Sequence, residues 1–140
     1  MKILLAVDGS PFTKRMLAYL AAHDEWLGDR HDYTVLHSVP AVPPRAAAVL
    51  DRDVLKKYYE DEAEKVFKPI RTFFGRRGIG ASYQSKAGNA AEIIGKAADG
   101  GDYDLVMMGS HGHGTLGNLV LGSVATKVLA SCKVPVLLVR

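Results

Sequence analysis

Cysteine is nearly absent from this sequence. Cys132 is the one thiol among 140 residues, which excludes an intramolecular disulfide or a thiolate metal cluster within one chain and suits a reducing compartment. It stands at a predicted helix end between Ala130 and Val134, the setting of a small apolar filler and not of a reactive thiol. Long hydrophobic runs are missing too. The apolar run in MKILLAVDGS spans five residues, too short for the core of a signal peptide. No stretch approaches the ~20 apolar residues that cross a bilayer. A soluble, cytoplasmic protein with no membrane partner is expected. Nor does one sign of charge dominate: 18 Lys and Arg against 15 Asp and Glu leave a net charge of +3. The densest basic cluster, Lys65, Lys68, Arg71, Arg76 and Arg77, is interleaved with Asp61, Glu62 and Glu64, the pattern of a solvated helix face. No stacking aromatic or base-reading motif accompanies it, so no nucleic-acid partner is expected.

What is present suits one globular domain over residues 1–140: hydrophobic residues make up 48% and charged residues 24%, close to soluble averages. Ile3 to Val7 is a short run that is apolar on both faces, as in a central strand of a parallel sheet covered on each side. Ser10 followed by Pro11 reads as an N-cap and first helical position, and Met16, Leu17, Leu20 and Ala21 follow at helical spacing. Tyr33 to Val39 reads as a second strand. Ala41 to Ala48, rich in Pro and Ala, reads as a loop or frayed helix start. From Val54, a stripe through Leu55, Tyr58, Tyr59, Ala63, Val66, Phe67, Ile70 and Phe74 predicts a long amphipathic helix that Pro69 would kink or split.

Ala81 to Lys86 follows as an edge strand, and Asn89 with Glu92 resembles a capping box opening a helix through Ala97. Leu105 to Met108 is a fourth strand. A glycine-bearing loop runs from Gly109 to Gly122, a helix from Ser123 to about Ser131, and a last strand from Val134 to Val139. Strands alternating with helices in this way predict an α/β fold with a parallel sheet and helices on both faces.

Ligands of open α/β sheets bind beyond the carboxyl ends of the strands, where strand order reverses. Two segments there are small and polar: Asp8-Gly9-Ser10 after strand one, and Met108 to Gly114 after strand four. Gly109, Gly112 and Gly114 would permit positive φ and close approach of backbone to a ligand, and successive N–H groups in such turns form an anion-binding concavity. Gly122 and Ser123 stand where a helix begins, with free N–H groups and the positive dipole end favouring phosphate. The bland alternative is a tight loop with Ser123 as an ordinary N-cap. Two familiar phosphate motifs are missing: there is no GxxxxGK[ST], and no GxGxxG follows strand one. His111 and His113 raise a metal hypothesis, but no carboxylate or thiol adjoins them; phosphate contact is preferred and no metal site is assigned. His37 reads as a buried, hydrogen-bonded strand-end residue.

Gly109-x2-Gly112-x9-Gly122-Ser123 resembles the G-2x-G-9x-G-[S/T] motif of ATP-binding universal stress proteins. The similarity spans the chain: VDGS at Val7 to Ser10, Leu36-His37, MGSHG at Met108 to Gly112, LGSVATKVL at Leu121 to Leu129 and VPVLLV at Val134 to Val139. The resemblance implies a flavodoxin-like, doubly wound five-stranded sheet of order 3-2-1-4-5. It implies an ATP site in which Asp8 faces the adenine or ribose, and Ala6 and the backbone around Ser38 meet the adenine. Many relatives have valine at the position of Ser38 and some have proline at that of Ala6; because the Ser38 contact is through the backbone, altered adenine packing, and not loss of binding, is expected. Met108 and Gly109 would line the ribose side. Gly112, His113, Gly114, Gly122, Ser123 and Val124 would hold phosphates, with Ser110 and His111 in the same loop. A magnesium ion accompanying ATP would lie near Asp8.

The function implied is nucleotide-dependent regulation in a stress response, without efficient catalysis. Slow ATP hydrolysis or autophosphorylation and a nucleotide-independent dimeric module are the alternatives. The loop offers Ser110, His111, His113 and Thr115 for hydrolysis, but no lysine or arginine to neutralise the γ-phosphate. The last strand is apolar and, in the implied order, lies at an edge, where unpaired backbone groups are a hazard unless covered. A homodimer pairing Val134 to Val139 with its two-fold copy is expected.

Overall fold

The computed structural model describes residues 1–114 and 118–140. Its elements run β1 (Lys2–Val7), α1 (Pro11–Ala22), β2 (Asp32–Val39), α2 (Pro44–Ala48), α3 (Arg52–Arg76), β3 (Ala81–Ala87), α4 (Ala90–Gly100), β4 (Leu105–Gly109), α5 (Ser123–Ser131) and β5 (Val136–Val139). The strands form one sheet in the order β3-β2-β1-β4-β5, and every pairing is parallel. The expected α/β architecture and strand order are both found. β1 is central because it can be buried on both faces: Ile3, Leu5 and Val7 enter one core, Leu4 and Ala6 the other. α1 and α3 cover the first face through Met16, Leu17, Leu20, Phe67, Ile70 and Phe74. α4 and α5 cover the second through Ala91, Ile94, Ala98, Ala125 and Val128.

Local chemistry sets the ends of these elements. The Ser10 hydroxyl accepts from the Phe12 N–H at 3.3 Å with Pro11 opening α1, and Asn89 Oδ1 accepts from the Glu92 N–H at 3.1 Å. Caps of this kind contribute about 1 kcal/mol each. Three boundaries differ from the sequence reading. The Pro/Ala segment forms the short helix α2, because Pro44 at its first turn has no N–H to leave unpaired. Pro69 does not split α3, which runs unbroken over 25 residues; Phe67 and Ile70 anchor it on either side of the missing donor. β5 begins at Val136 and not at Val134, since Pro135 has no N–H for the ladder and only its carbonyl is used, by the Val106 N–H at 2.9 Å.

Tyr33 ties the lower end of the first core together. Its buried hydroxyl lies 2.9 Å from the carbonyls of both Leu27 and Gly28. Burial, with Asp24 and Asp29 nearby, pushes its pKa up to about 12. The folded state therefore favours the protonated phenol, a contribution present below pH ~10 and lost as pH rises through ~12. Tyr33→Phe should lower stability by about 1–2 kcal/mol at neutral pH. It should also flatten the loss of stability between pH ~10 and ~12, as measured by urea denaturation across that range.

Candidate functional site

At the carboxyl end of the sheet β1 and β4 part company. β1 pairs with β4 up to Ala6–Met108 and with β2 up to Val7–His37. Beyond those pairs β1 turns away into α1, leaving Ser38 without a β1 partner. Gly9 makes the turn at φ +76°, a conformation costly for any side chain. Within it, Asp8 Oδ1 accepts from the Ser10 N–H at 2.9 Å and from the Thr13 hydroxyl at 3.0 Å, while the Asp8 N–H donates to Thr13 Oγ1 at 3.1 Å. One carboxylate oxygen is thereby fixed. The other, Oδ2, is aimed at Gly112, where an added Cβ would sit 2.9 Å from it.

The opening between the strands is a cleft of about 80 Å³. Its floor is apolar, made of Ala6, Leu36, Ile94 and Met108. Its rim is polar, with Asp8, Thr13, His37 and Ser38 on one side and Gly109, His111, Gly112, Gly122 and Val124 on the other. Typical ligand pockets hold roughly 300–1,000 Å³, so a planar group fits inside and anything larger must extend outward over the loop. That loop leads to α5, whose N-cap is Gly122 and not Ser123. A glycine cap supplies no side-chain acceptor, so the N–H groups of Ser123, Val124 and Ala125 lack helical partners and the positive end of the dipole lies open.

The structure gives each glycine a different reason. None of Gly109, Gly112, Gly114 and Gly122 takes a positive φ, contrary to the expectation for the first three. At Gly109 a Cβ would meet Phe12 Cβ at 2.5 Å, so the requirement is close approach to α1. At Gly122 it would meet the His111 Cα at 3.0 Å and the Ser110 carbonyl at 3.2 Å. The Gly122 N–H donates to that same carbonyl at 2.7 Å. Gly114 has open space around it. Of the four, only Gly112 keeps clear a space that faces the cleft carboxylate.

Nine of the residues singled out in the sequence meet around this cleft: Ala6, Asp8, Ser38, Met108, Gly109, His111, Gly112, Gly122 and Val124. Four do not line it. Ser110 is fully buried beneath the loop, Ser123 is exposed on the first turn of α5, and His113 and Gly114 stand on the outer surface. Thr115 lies outside the described residues.

The histidines do not converge. His111 bonds Ser110 Oγ through Nδ1 and donates from Nε2 to the Leu119 carbonyl, both at 2.8 Å. His113 donates from Nε2 to the Asp8 carbonyl at 2.7 Å. Among the described residues no group of three or more His, Cys, Asp or Glu could hold a metal ion. His37 is buried and donates from Nδ1 to the Val7 carbonyl at 2.8 Å. Sequence reading passed over Thr13, Ala90 and Ile94 as site residues; only the crossing of α1 and α4 over the sheet ends brings them here, beside Leu36 of β2.

A larger groove of about 880 Å³ lies at the opposite end of the sheet, lined by Asp24, Asp29, Arg30, Arg76, Arg77 and others. Arg76 and Arg77 sit at the carboxyl end of α3, where they complement the helix dipole, and Arg77 lies 3.9 Å from Asp24. Size alone does not make it the site.

The sequence profile of the universal stress protein family matches residues 1–140. The chain belongs to that family. A universal stress protein of Thermus aquaticus is 38% identical over 138 residues, covering 99% of this chain and 97% of that protein. Among solved structures, hypothetical protein MJ0577 shares 27% identity at a TM-score of 0.79, covering 99% of this chain and 94% of that one. The universal stress protein of Archaeoglobus fulgidus in complex with dAMP shares 22% identity at a TM-score of 0.68, covering 100% and 98%. The last likeness shows the fold alone. Among the described residues no helix is long and apolar enough to cross a membrane.

Among its described residues, the loop of this universal stress protein is held by contacts within the chain. Gly122→Val should lower stability by about 1–3 kcal/mol through overpacking against residues 110–112, even in nucleotide-free protein. Thermal melting with and without added nucleotide checks this; an unchanged melting temperature in the variant would refute the close approach.

Proposed function

We propose that this chain binds an adenine nucleotide, ATP with its magnesium ion, in the cleft between β1 and β4, and acts as a nucleotide-dependent regulator in a reducing cytoplasm. One observation carries the reading: an apolar slot for a base is flanked by the Asp8 carboxylate on one side and by the uncapped amino end of α5 on the other. The slot suits a planar ring, with Ala6, Leu36, Ile94 and Met108 against its faces and the backbone at Ser38 along its edge. The Ser38 hydroxyl is itself committed to the Gly88 carbonyl at 2.9 Å, so recognition there falls to the main chain. Asp8 Oδ2 reaches ribose hydroxyls or the water shell of magnesium. Phosphates lie along Gly112, Gly122, Ser123 and Val124, with His113 and Gly114 at the outer rim. The dAMP complex of the A. fulgidus protein supports an adenine nucleotide on this fold.

The described cleft lining contains no lysine or arginine. His111 Nε2–H is spent on the Leu119 carbonyl, so that imidazole is not free to orient an attacking water. Turnover is expected to be far below the ~1–100 per second of kinases. Ser123→Glu separates the ligand role of α5 from its structural role. A carboxylate at the first turn favours the helix dipole, so folding is retained, yet it repels phosphate. Calorimetry should show ATP affinity reduced about tenfold or more with no fall in melting temperature; undiminished affinity would remove phosphate from this position.

The same reading includes a homodimer through β5. This strand forms one edge of the sheet, and Val136, Leu137 and Leu138 are only half-buried. Exposed Leu119, Val120 and Leu129 add apolar surface on the loop and helix leading to it. Pairing with a two-fold copy would satisfy the edge and cover these side chains. Light scattering at micromolar concentration should give twice the chain mass, and Val136→Lys with Leu138→Lys should give monomers or insoluble protein; a monomeric unmodified protein would contradict the dimer.

A further inference from the structure

The amino-terminal part of α3 adds little to the core, where before Ala63 only the partly buried Tyr59 packs against it. From Pro40 to Glu62 not one residue is buried, and the first that is buried is Ala63. α3 runs antiparallel to the strands, since Phe67 packs on His37 near the carboxyl end of β2 and Phe74 on Tyr33 near its start. Val66 stands level with Gly9 at the carboxyl end of β1. The helix from Val66 back to Arg52 therefore overhangs the sheet by about 20 Å at 1.5 Å per residue. This arm is held locally by the Val42 N–H donating to the Tyr59 hydroxyl at 2.9 Å. Leu55 and Tyr59 turn inward, yet Val54 and Tyr58, one turn apart, remain 53% and 45% exposed. A polar overhang would raise no question; one with a half-exposed valine and tyrosine on a single stripe does.

We propose that this arm is an interaction surface for the arm of a second copy of the same chain, the two helices lying antiparallel about a two-fold axis near Tyr58. Charge along the helix argues for this partner. Residues 52–57 are predominantly basic (Arg52, Lys56, Lys57 against Asp53), whereas residues 60–64 are acidic (Glu60, Asp61, Glu62, Glu64). A parallel pairing in register would set like charges side by side. An antiparallel pairing sets each basic block against the acidic block of the other copy, as an isologous contact requires.

At 3.6 residues per turn, Lys57 and Asp61 fall on one flank of the Val54–Tyr58 stripe. Centring the pair at the level of residue 59, one position from Tyr58, brings Lys57 of each copy level with Asp61 of the other, and Lys65 level with Asp53. Neither Lys57 nor Asp61 makes an ion pair among the described residues.

The surface is distinct from β5: α3 packs over β2 and β3, at the opposite side of the sheet. The two contacts together would join dimers into a larger assembly. One helix pair buries less than the ~1,200–2,000 Å² of a stable standard interface, so the contact is weak, reversible and sensitive to salt.

The test uses the full chain with Cys132→Ser as background. Tyr58→Cys should form a disulfide-linked pair under mild oxidation, at least about tenfold more than Thr72→Cys, an exposed site later on the same helix. The yield should fall in high salt and on adding Val54→Glu. Tyr58→Cys cross-linking no better than Thr72→Cys, or cross-linking unaffected by Val54→Glu, overturns the arm contact. Because the readout is covalent and local to α3, it holds whether or not the β5 dimer forms.

Discussion

The 2.7 Å hydrogen bond from the Gly122 N–H to the Ser110 carbonyl closes the two ends of the loop between β4 and α5 onto one another, and the rest of the site follows from that closure. Gly122 suits this closure because an added Cβ would sit 3.0 Å from the His111 Cα, closer than side chains ordinarily pack. With the ends joined, the amino end of α5 is carried to the carboxyl end of β4, next to Gly112. Gly109 lets the same strand end slide beneath Phe12, and His111 links Ser110 to Leu119 across the loop. The ring of His111 also packs on Phe12, with centroids 5.0 Å apart. Glycine on one side and the buried Ser110 bonded to His111 on the other brace the described ends of the loop.

That shape matters because of what stands opposite. Asp8 is held by Thr13 and Ser10 through one oxygen, and its free oxygen faces the loop. A group bound here meets negative charge from β1 and positive helix-end potential from α5. Such opposed fields suit a ligand with hydroxyls or a cation at one end and anions at the other. The universal stress protein fold brings them together because β1 and β4 are neighbours whose helices leave to opposite faces, the usual crevice of an open α/β sheet.

Much of this was legible in the sequence, for reasons that differ by residue. β1 could be placed because Ile3 to Val7 is apolar on both faces, and the spacing of Gly109, Gly112 and Gly122 marked the loop. Periodicity could not say why each glycine is needed: the positive φ expected at Gly109, Gly112 and Gly114 is absent, and sterics against Phe12, Asp8 and His111 are what single out Gly109, Gly112 and Gly122. Nor could local pattern find Ile94 or Thr13, which join the cleft only through tertiary crossing. Pro69 was weighed as a break, yet packing of Phe67 and Ile70 outweighs one missing donor. The solvent-facing part of α3 was read as one amphipathic stripe because spacing does not reveal where the sheet beneath it ends.

Hydrogen–deuterium exchange of the full chain with and without magnesium and ATP tests the central claim most directly. The account predicts slowed exchange in residues 6–10, 109–114 and 122–126, with the groove at residues 24–30 and 72–79 unchanged. Protection confined to that groove, or no protection at saturating nucleotide, would contradict the assignment of the cleft between β1 and β4.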